Sequence, residues 1–155
     1  MKIPVPNIII DTREQLPYSF KHPSEIKALN TGDYSIVGLE NSVVVERKRH
    51  EEFVGCLSND RDRFQRELER GQGFHRLHVV VEASFKGVIE CLYENWPVGM
   101  HKNAIRGTIA AWENRYNHVR FWFCGDRDTA QTWTEHLLKR SWADFQEGKI
   151  NNELS

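Results

Sequence analysis

Asp33 and the triplet Glu46-Arg47-Lys48 are the residues whose types and spacing bear most directly on chemistry. The triplet closes a β-branched run, Val43-Val44-Val45, so a strand that begins as core ends with an acid and two bases side by side. If Gly38-Leu39-Glu40-Asn41 forms the loop of a hairpin, Val37 faces Ser42, Tyr34 faces Val45 and Asp33 faces Glu46. Directly opposed residues of an antiparallel pair project to one face, with Cβ atoms about 4.5–5.5 Å apart. Alternation returns Lys48 to the face of Glu46 and turns Arg47 to the other. Like charges so placed destabilise a hairpin unless something positive lies between them. A hard divalent cation such as magnesium meets that need, since it prefers oxygen ligands and keeps several waters. Such an ion would polarise a phosphoryl oxygen and acidify a bound water. A lysine alongside would orient the nucleophile or stabilise the charge developing on phosphorus. The plainer alternatives are a repulsive surface pair for Asp33 and Glu46 and a simple ion pair for Lys48. A charged strand end produces such a triplet by chance, and it is the apolar run with its coupled register that argues for a site.

These side chains require a scaffold that delivers strand ends to one place. Residues 7–10 read as a short buried strand ending at Asp11, and Ser24 as the cap of a short helix through Asn30. Residues 33–37 and 42–48 form the hairpin arms. A helical pattern covers 51–57 and again 60–70, with Gly71 and Gly73 as its stop. A strand at 77–82, helices at 85–93 and 102–116, a strand at 118–123 and a helix at 129–145 follow. Strands alternating with helices argue an α/β fold with a hairpin early and parallel crossovers later.

The 155 residues suit a single domain, 1–155, with its core over about 7–145. A net charge of −1 supplies no global field toward an anionic polymer, so any such partner is held by local patches. Cys56, Cys91 and Cys124 are odd in number and far apart, which gives neither a zinc pattern nor a disulfide framework. The N-terminal MKIPVPNIII carries one lysine and too short an apolar run for a signal peptide or a membrane span. The expectation is an intracellular, cytoplasmic protein with no membrane partner.

Further residues carry a family likeness. Gly32-Asp33, then Glu46-Arg47-Lys48, then Glu52 four residues after the lysine, resemble the motif GDx(n)ERKx(3)D of the XPF/Hef/Mus group of structure-specific DNA endonucleases. Ile8-Ile9-Ile10-Asp11-Thr12-Arg13-Glu14 is similar to that family's first strand and its D-x-R-E element. Residues 57–65 (LSNDRDRFQ) resemble its arginine-rich helix, and Val79-Val80-Val81-Glu82 its next core strand. The resemblance covers about residues 8–139. It implies a restriction-endonuclease-like, PD-(D/E)xK fold with a central mixed β-sheet flanked by helices. It also implies Mg2+- or Mn2+-dependent phosphodiester cleavage that leaves 5′-phosphate and 3′-hydroxyl ends, at branched or flap-like DNA in repair or recombination. The motif's last acid is usually aspartate, and Glu52 stands there with an extra methylene, so it either orients a metal-bound water or supports the site from behind. Family members commonly carry a helix-hairpin-helix module after this domain; the length leaves no room for one, which suits a bacterial or phage protein.

The expected roles follow. Asp33 and Glu46 are metal ligands and Lys48 is the catalytic lysine. Asp11 closes an apolar strand, a frequent place for active-site groups in α/β sheets, and either joins the metal site or serves ordinary turn chemistry. For Arg13 and Glu14 the resemblance implies a phosphate or structural ion-pair role. Arg47, turned away from the carboxylates, suits a structural salt bridge or a dimer contact. Glu82 is an ordinary strand-end acid in preference to a supporting acid of the site. Phosphate contact falls to Arg61, Arg63 and Arg66 on a helix whose buried stripe is Phe64 and Leu68, although Asp62, Glu67 and Glu69 also permit a surface salt-bridge reading. His101, Lys102 and Arg106 form a second basic group at a helix start, read as a solvated helix end in preference to a phosphate site. Paired nuclease domains, as a homodimer or with a partner subunit, are implied by the resemblance. The rival to a nuclease is a non-catalytic DNA-binding or scaffold subunit of the same fold.

Overall fold

The computed structural model describes residues 2–90 and 102–151. Cys91, Trp96, His101 and the last residues of the helix expected over 85–93 lie outside them. The described elements are β1 (Ile8–Ile10), β2 (Ser24–Ile26), β3 (Tyr34–Ile36), β4 (Val43–Arg49), α1 (His50–Leu57), α2 (Arg61–Arg70), β5 (Arg76–Glu82), α3 (Phe85–Ile89), α4 (Lys102–Arg115), β6 (Val119–Phe123) and α5 (Arg127–Gln146). The strands form one mixed sheet in the order β2-β1-β3-β4-β5-β6. β3 runs antiparallel to both β1 and β4, while β4, β5 and β6 are parallel. An early hairpin and later crossovers are therefore both present. The Tyr34–Val45 pairing is the register that a loop over Gly38–Asn41 requires.

Strand alternation divides the core into two layers. Val44, Val79 and Val81 face Phe53, Leu57, Phe64, Leu68, Ile109 and Trp112, which belong to α1, α2 and α4. Val43, Val45 and Val80 face the other way, onto Ala130 and Leu138 of α5. With helices on both faces, the central strands read as continuous apolar runs rather than alternating ones. On β4 the apolar run gives way to half-buried charge at Glu46, and the alternation continues. Lys48 leans over the Phe64 ring on the α2 side, with its Nζ 5.3 Å from the centroid. Arg47 lies over Tyr18 on the α5 side, 5.1 Å away.

The helix expected from Ser24 to Asn30 is not there. Ser24–Ile26 is an exposed edge strand pairing parallel with β1. The Ile8 N–H donates to the Pro23 carbonyl at 2.9 Å and the Lys27 N–H to the Ile10 carbonyl at 3.0 Å, so β1 gains a second neighbour. A helix of so few residues is marginal alone, and the unpaired edge of β1 offers the backbone a better set of partners.

Candidate active site

Asp33, Glu46 and Lys48 meet where the hairpin ends. Gly32 makes this possible, since it sits at φ +90° and a Cβ there would lie 2.8 Å from the Val44 Cβ. Only glycine combines that backbone with so close an approach. Asp33 is then pinned on three sides. Its N–H donates to the Val45 carbonyl and its carbonyl accepts from the Asp11 N–H, both at 2.8 Å. Its Oδ2 accepts from the Arg47 N–H at 2.8 Å. The Asp33 and Glu46 carboxyls are near enough that the charge of Glu46 acts directly on Asp33, and Lys48 Nζ lies 3.5 Å from Glu46 Oε1. The three side chains expected to converge do so.

The electrostatics follow from that crowding. Burial, then the neighbouring charge of Glu46, hold the Asp33 carboxyl well above the usual range. Burial raises Glu46 likewise, and the Lys48 ammonium only partly offsets it. Two adjacent carboxylates that resist ionising together are a donor set for a hard cation, which would replace a shared proton. Among the described residues no group of three or more His, Cys, Asp or Glu is arranged to hold a metal ion. Magnesium is commonly held by only one or two carboxylates, completed by waters and substrate phosphates, so the Asp33–Glu46 pair fits it.

Behind the pair, on the α5 side, Arg47 anchors a buried polar network. Its Nε donates to Glu82 Oε2 at 2.8 Å and its Nη1 to the Leu16 carbonyl at 3.0 Å, with Glu14 Oε2 3.5 Å away. Tyr34 donates to Glu14 at 2.6 Å, and the Tyr18 hydroxyl makes a short bond to Glu82. Of the two roles expected for Arg47, the salt bridge is present. Glu82 is not a solvated strand end but its buried partner.

Asp11 is buried, and its carboxylate is occupied. Oδ2 accepts from the backbone and the Nε of Arg13, at 3.2 and 2.7 Å, and Oδ1 from the Leu29 N–H at 2.8 Å. Burial opposes its charge, but these bonds prevail and hold the carboxyl below its usual range. It ties the loop after β1 to the chain after β2. Arg13 Nη2 also donates to the Leu29 carbonyl at 3.1 Å. Glu52 sits at the third position of α1, where Oε1 accepts from the Arg49 N–H at 3.2 Å and from its Nε at 3.0 Å. That is half of a capping box. Arg13, Glu14, Arg47, Arg49 and Glu52 line a polar cleft of about 240 Å³, whose lining includes none of Asp33, Glu46 and Lys48.

On α2, Phe64 and Leu68 are buried and Arg61, Arg63 and Arg66 are exposed, as the helical spacing requires. Arg63 pairs with Asp60 at 3.3 Å, and Arg61 lies over the Trp112 ring, 6.0 Å from its centroid. The sequence reading missed Glu67. Instead of joining a surface salt-bridge pattern, it reaches inward to within 3.9 Å of Lys48 Nζ. Its place three residues after buried Phe64 was the available signal.

The ERCC4 domain model matches residues 10–137. The chain belongs to the ERCC4 domain family. This ERCC4 domain is the XPF-type nuclease family that the motif indicated. Among solved structures it is similar to XPF from Aeropyrum pernix, with a TM-score of 0.69 at 22% identity over 88% of this chain and 61% of that one. The chain thus spans less than two thirds of that structure, and the likeness establishes the restriction-endonuclease-like fold. No curated protein matches in sequence. No described helix is long and apolar enough to cross a membrane.

Proposed function

We propose that this ERCC4 domain is a divalent-metal-dependent endodeoxyribonuclease that hydrolyses phosphodiester bonds, with branched or flap-like DNA of repair or recombination as its substrate class. The observation that carries the proposal is the convergence of Asp33, Glu46 and Lys48, with the ammonium 3.5 Å from Glu46 and the charge of Glu46 bearing on buried Asp33. Asp33 and Glu46 would hold Mg2+ or Mn2+. The bound ion supplies Lewis acidity to a phosphoryl oxygen and lowers the pKa of water. The rest is done by the chain. Lys48 presents N–H donors to the attacking water or to a non-bridging phosphate oxygen, where negative charge grows in the transition state. Arg13, 70% exposed at the cleft, meets an adjacent phosphate. Arg61, Arg63 and Arg66 hold the strand further out, and their contacts position DNA without reading its sequence. In this reading Asp11, Arg47 and Glu52 are scaffold, while Arg13 keeps an exposed guanidinium beside its bonds to Asp11 and the Leu29 carbonyl. Pairing of two such domains, or of this one with a partner subunit, is part of the same proposal.

The test is incubation of flap, fork and plain duplex DNA with the wild-type chain and Lys48→Ala in Mg2+ or Mn2+. Cleavage by the wild type, lost in the variant and leaving 5′-phosphate ends, is the expected result. A wild type that binds DNA but cuts none of the three with either ion is a scaffold subunit instead.

A further inference from the structure

Glu67 stands apart from the motif residues in sequence and beside them in space. Its Oε2 is buried, accepts no hydrogen bond from the described residues and lies 3.9 Å from Lys48 Nζ. Phe64, three residues earlier on α2, presents its ring to the same ammonium. One stripe of α2 therefore offers Lys48 an aromatic face and a carboxylate, while β4 offers it Glu46 at 3.5 Å. The ammonium stands between two acids, and Glu46 is the one whose charge bears strongly on Asp33.

That division has a consequence for any cation on the Asp33–Glu46 pair. An ammonium drawn to Glu46 competes with the ion for the same oxygens and repels it across a short distance in a partly desolvated site. A second carboxylate on the far side of the ammonium relieves the competition, because Lys48 keeps a counter-ion when Glu46 turns to the metal. We infer that Glu67 is a positioning residue, holding the Lys48 ammonium clear of Glu46 so that Glu46 is free to bind the cation. Glu67 acts through Lys48 and touches neither metal nor DNA. The inference rests on the metal-dependent reading above, and it assigns α2 a role in the reaction centre besides phosphate contact.

The experiment is Mn2+ binding to the full chain without DNA, followed by calorimetry or by the paramagnetic signal of free Mn2+. It compares wild type, Glu67→Gln, Lys48→Ala and the double variant. Glutamine keeps the shape of Glu67 and removes its charge, and Glu67→Met serves as a second uncharged variant of similar length should the first not fold. Glu67→Gln is expected to weaken Mn2+ binding about fivefold to tenfold where Lys48 is present, and by less than twofold in Lys48→Ala. Equal weakening in both backgrounds would mean that Glu67 acts on the ion directly, and no weakening in either would mean that it acts on nothing there; each overturns the inference. Absence of Mn2+ uptake by the wild type would remove the metal-dependent reading itself and this inference with it, an outcome distinct from the other two.

Discussion

Asp33 Oδ2 accepts the backbone N–H of Arg47 at 2.8 Å, so the acid on one arm of the hairpin is tied to the centre of the triplet on the other. This bond continues the β3–β4 pairing past its last backbone partner through a side chain. It fixes the carboxyl beside Glu46 whether or not a cation is present, and the cost appears as two acids that resist ionising together.

Asp33→Asn should separate that cost from the benefit. The amide keeps an oxygen for the Arg47 N–H and removes one of two crowded charges. In chelator at neutral pH the variant is expected to be more stable than the wild type, because burial and the charge of Glu46 both oppose the Asp33 carboxylate. Cleavage should fall by a factor on the order of 10² or more. Urea unfolding and a flap-cleavage assay measure the two sides. A destabilised variant would show that the carboxyls support each other rather than compete.

Arg47 predicts the opposite pattern. Its side chain is 8% exposed, as is that of Glu82, and removing one member of a buried pair leaves the other charge uncompensated. Arg47→Ala should therefore lose about 3–5 kcal/mol. Arg47→Lys should recover only part of it, because an ammonium cannot span Glu82, Glu14 and the Leu16 carbonyl as a guanidinium does. Cleavage should follow the folded fraction. A fully stable, inactive Arg47→Ala would give this residue a direct part in chemistry.

What could be read from sequence was what is local. The hairpin register needed only the loop over Gly38–Asn41 and the period of a strand, and the meeting of Asp33, Glu46 and Lys48 came with it. Misread features depended on partners far along the chain. Ser24–Ile26 is a strand because β1 lies beside it, which no helix-cap signal reveals. The salt bridge expected of Arg47 is present, but its partner, Glu82 at the end of β5, is 35 residues away and was not named in advance. Glu67 read as surface because the roll of α2 against the sheet decides which flanking residue of the Phe64 stripe turns inward.

Gly32 tests the hairpin directly. Gly32→Ala places a Cβ against Val44 at 2.8 Å and forces alanine to φ +90°. Backbone strain and overpacking together should cost about 2–4 kcal/mol, a drop in melting temperature of roughly 5–15 °C for a chain of this size. The loss of cleavage measured well below melting should exceed the loss of folded protein, since Asp33 must move with its neighbour. A variant that melts like wild type would mean that β4 yields at Val44 without cost.

His78, which pairs with Val45 on the neighbouring strand, bears on the acid stability of the fold. It is 5% exposed on β5, and the Trp122 Nε1–H donates to its Nδ1 at 2.9 Å, which leaves the ring proton on Nε2. Protonating Nδ1 would break that bond and bury a charge. Burial first, then the positive charges of Arg76, His75 and Arg120, push the ring pKa down to about 3. In the unfolded chain it titrates near 6.5. Between these values the unfolded state binds the additional proton, so stability is complete above the upper value and is lost as pH falls through the window. The loss should approach about 1.4 kcal/mol per pH unit within it and total on the order of 3–5 kcal/mol by its lower end. His78→Gln keeps an acceptor for Trp122 and cannot titrate, so urea unfolding between pH 7 and pH 4 should show a dependence shallower by nearly one proton. Equal slopes in the two proteins would mean that His78 carries its proton into the fold at no cost, and that the Trp122 bond is not what holds the ring neutral.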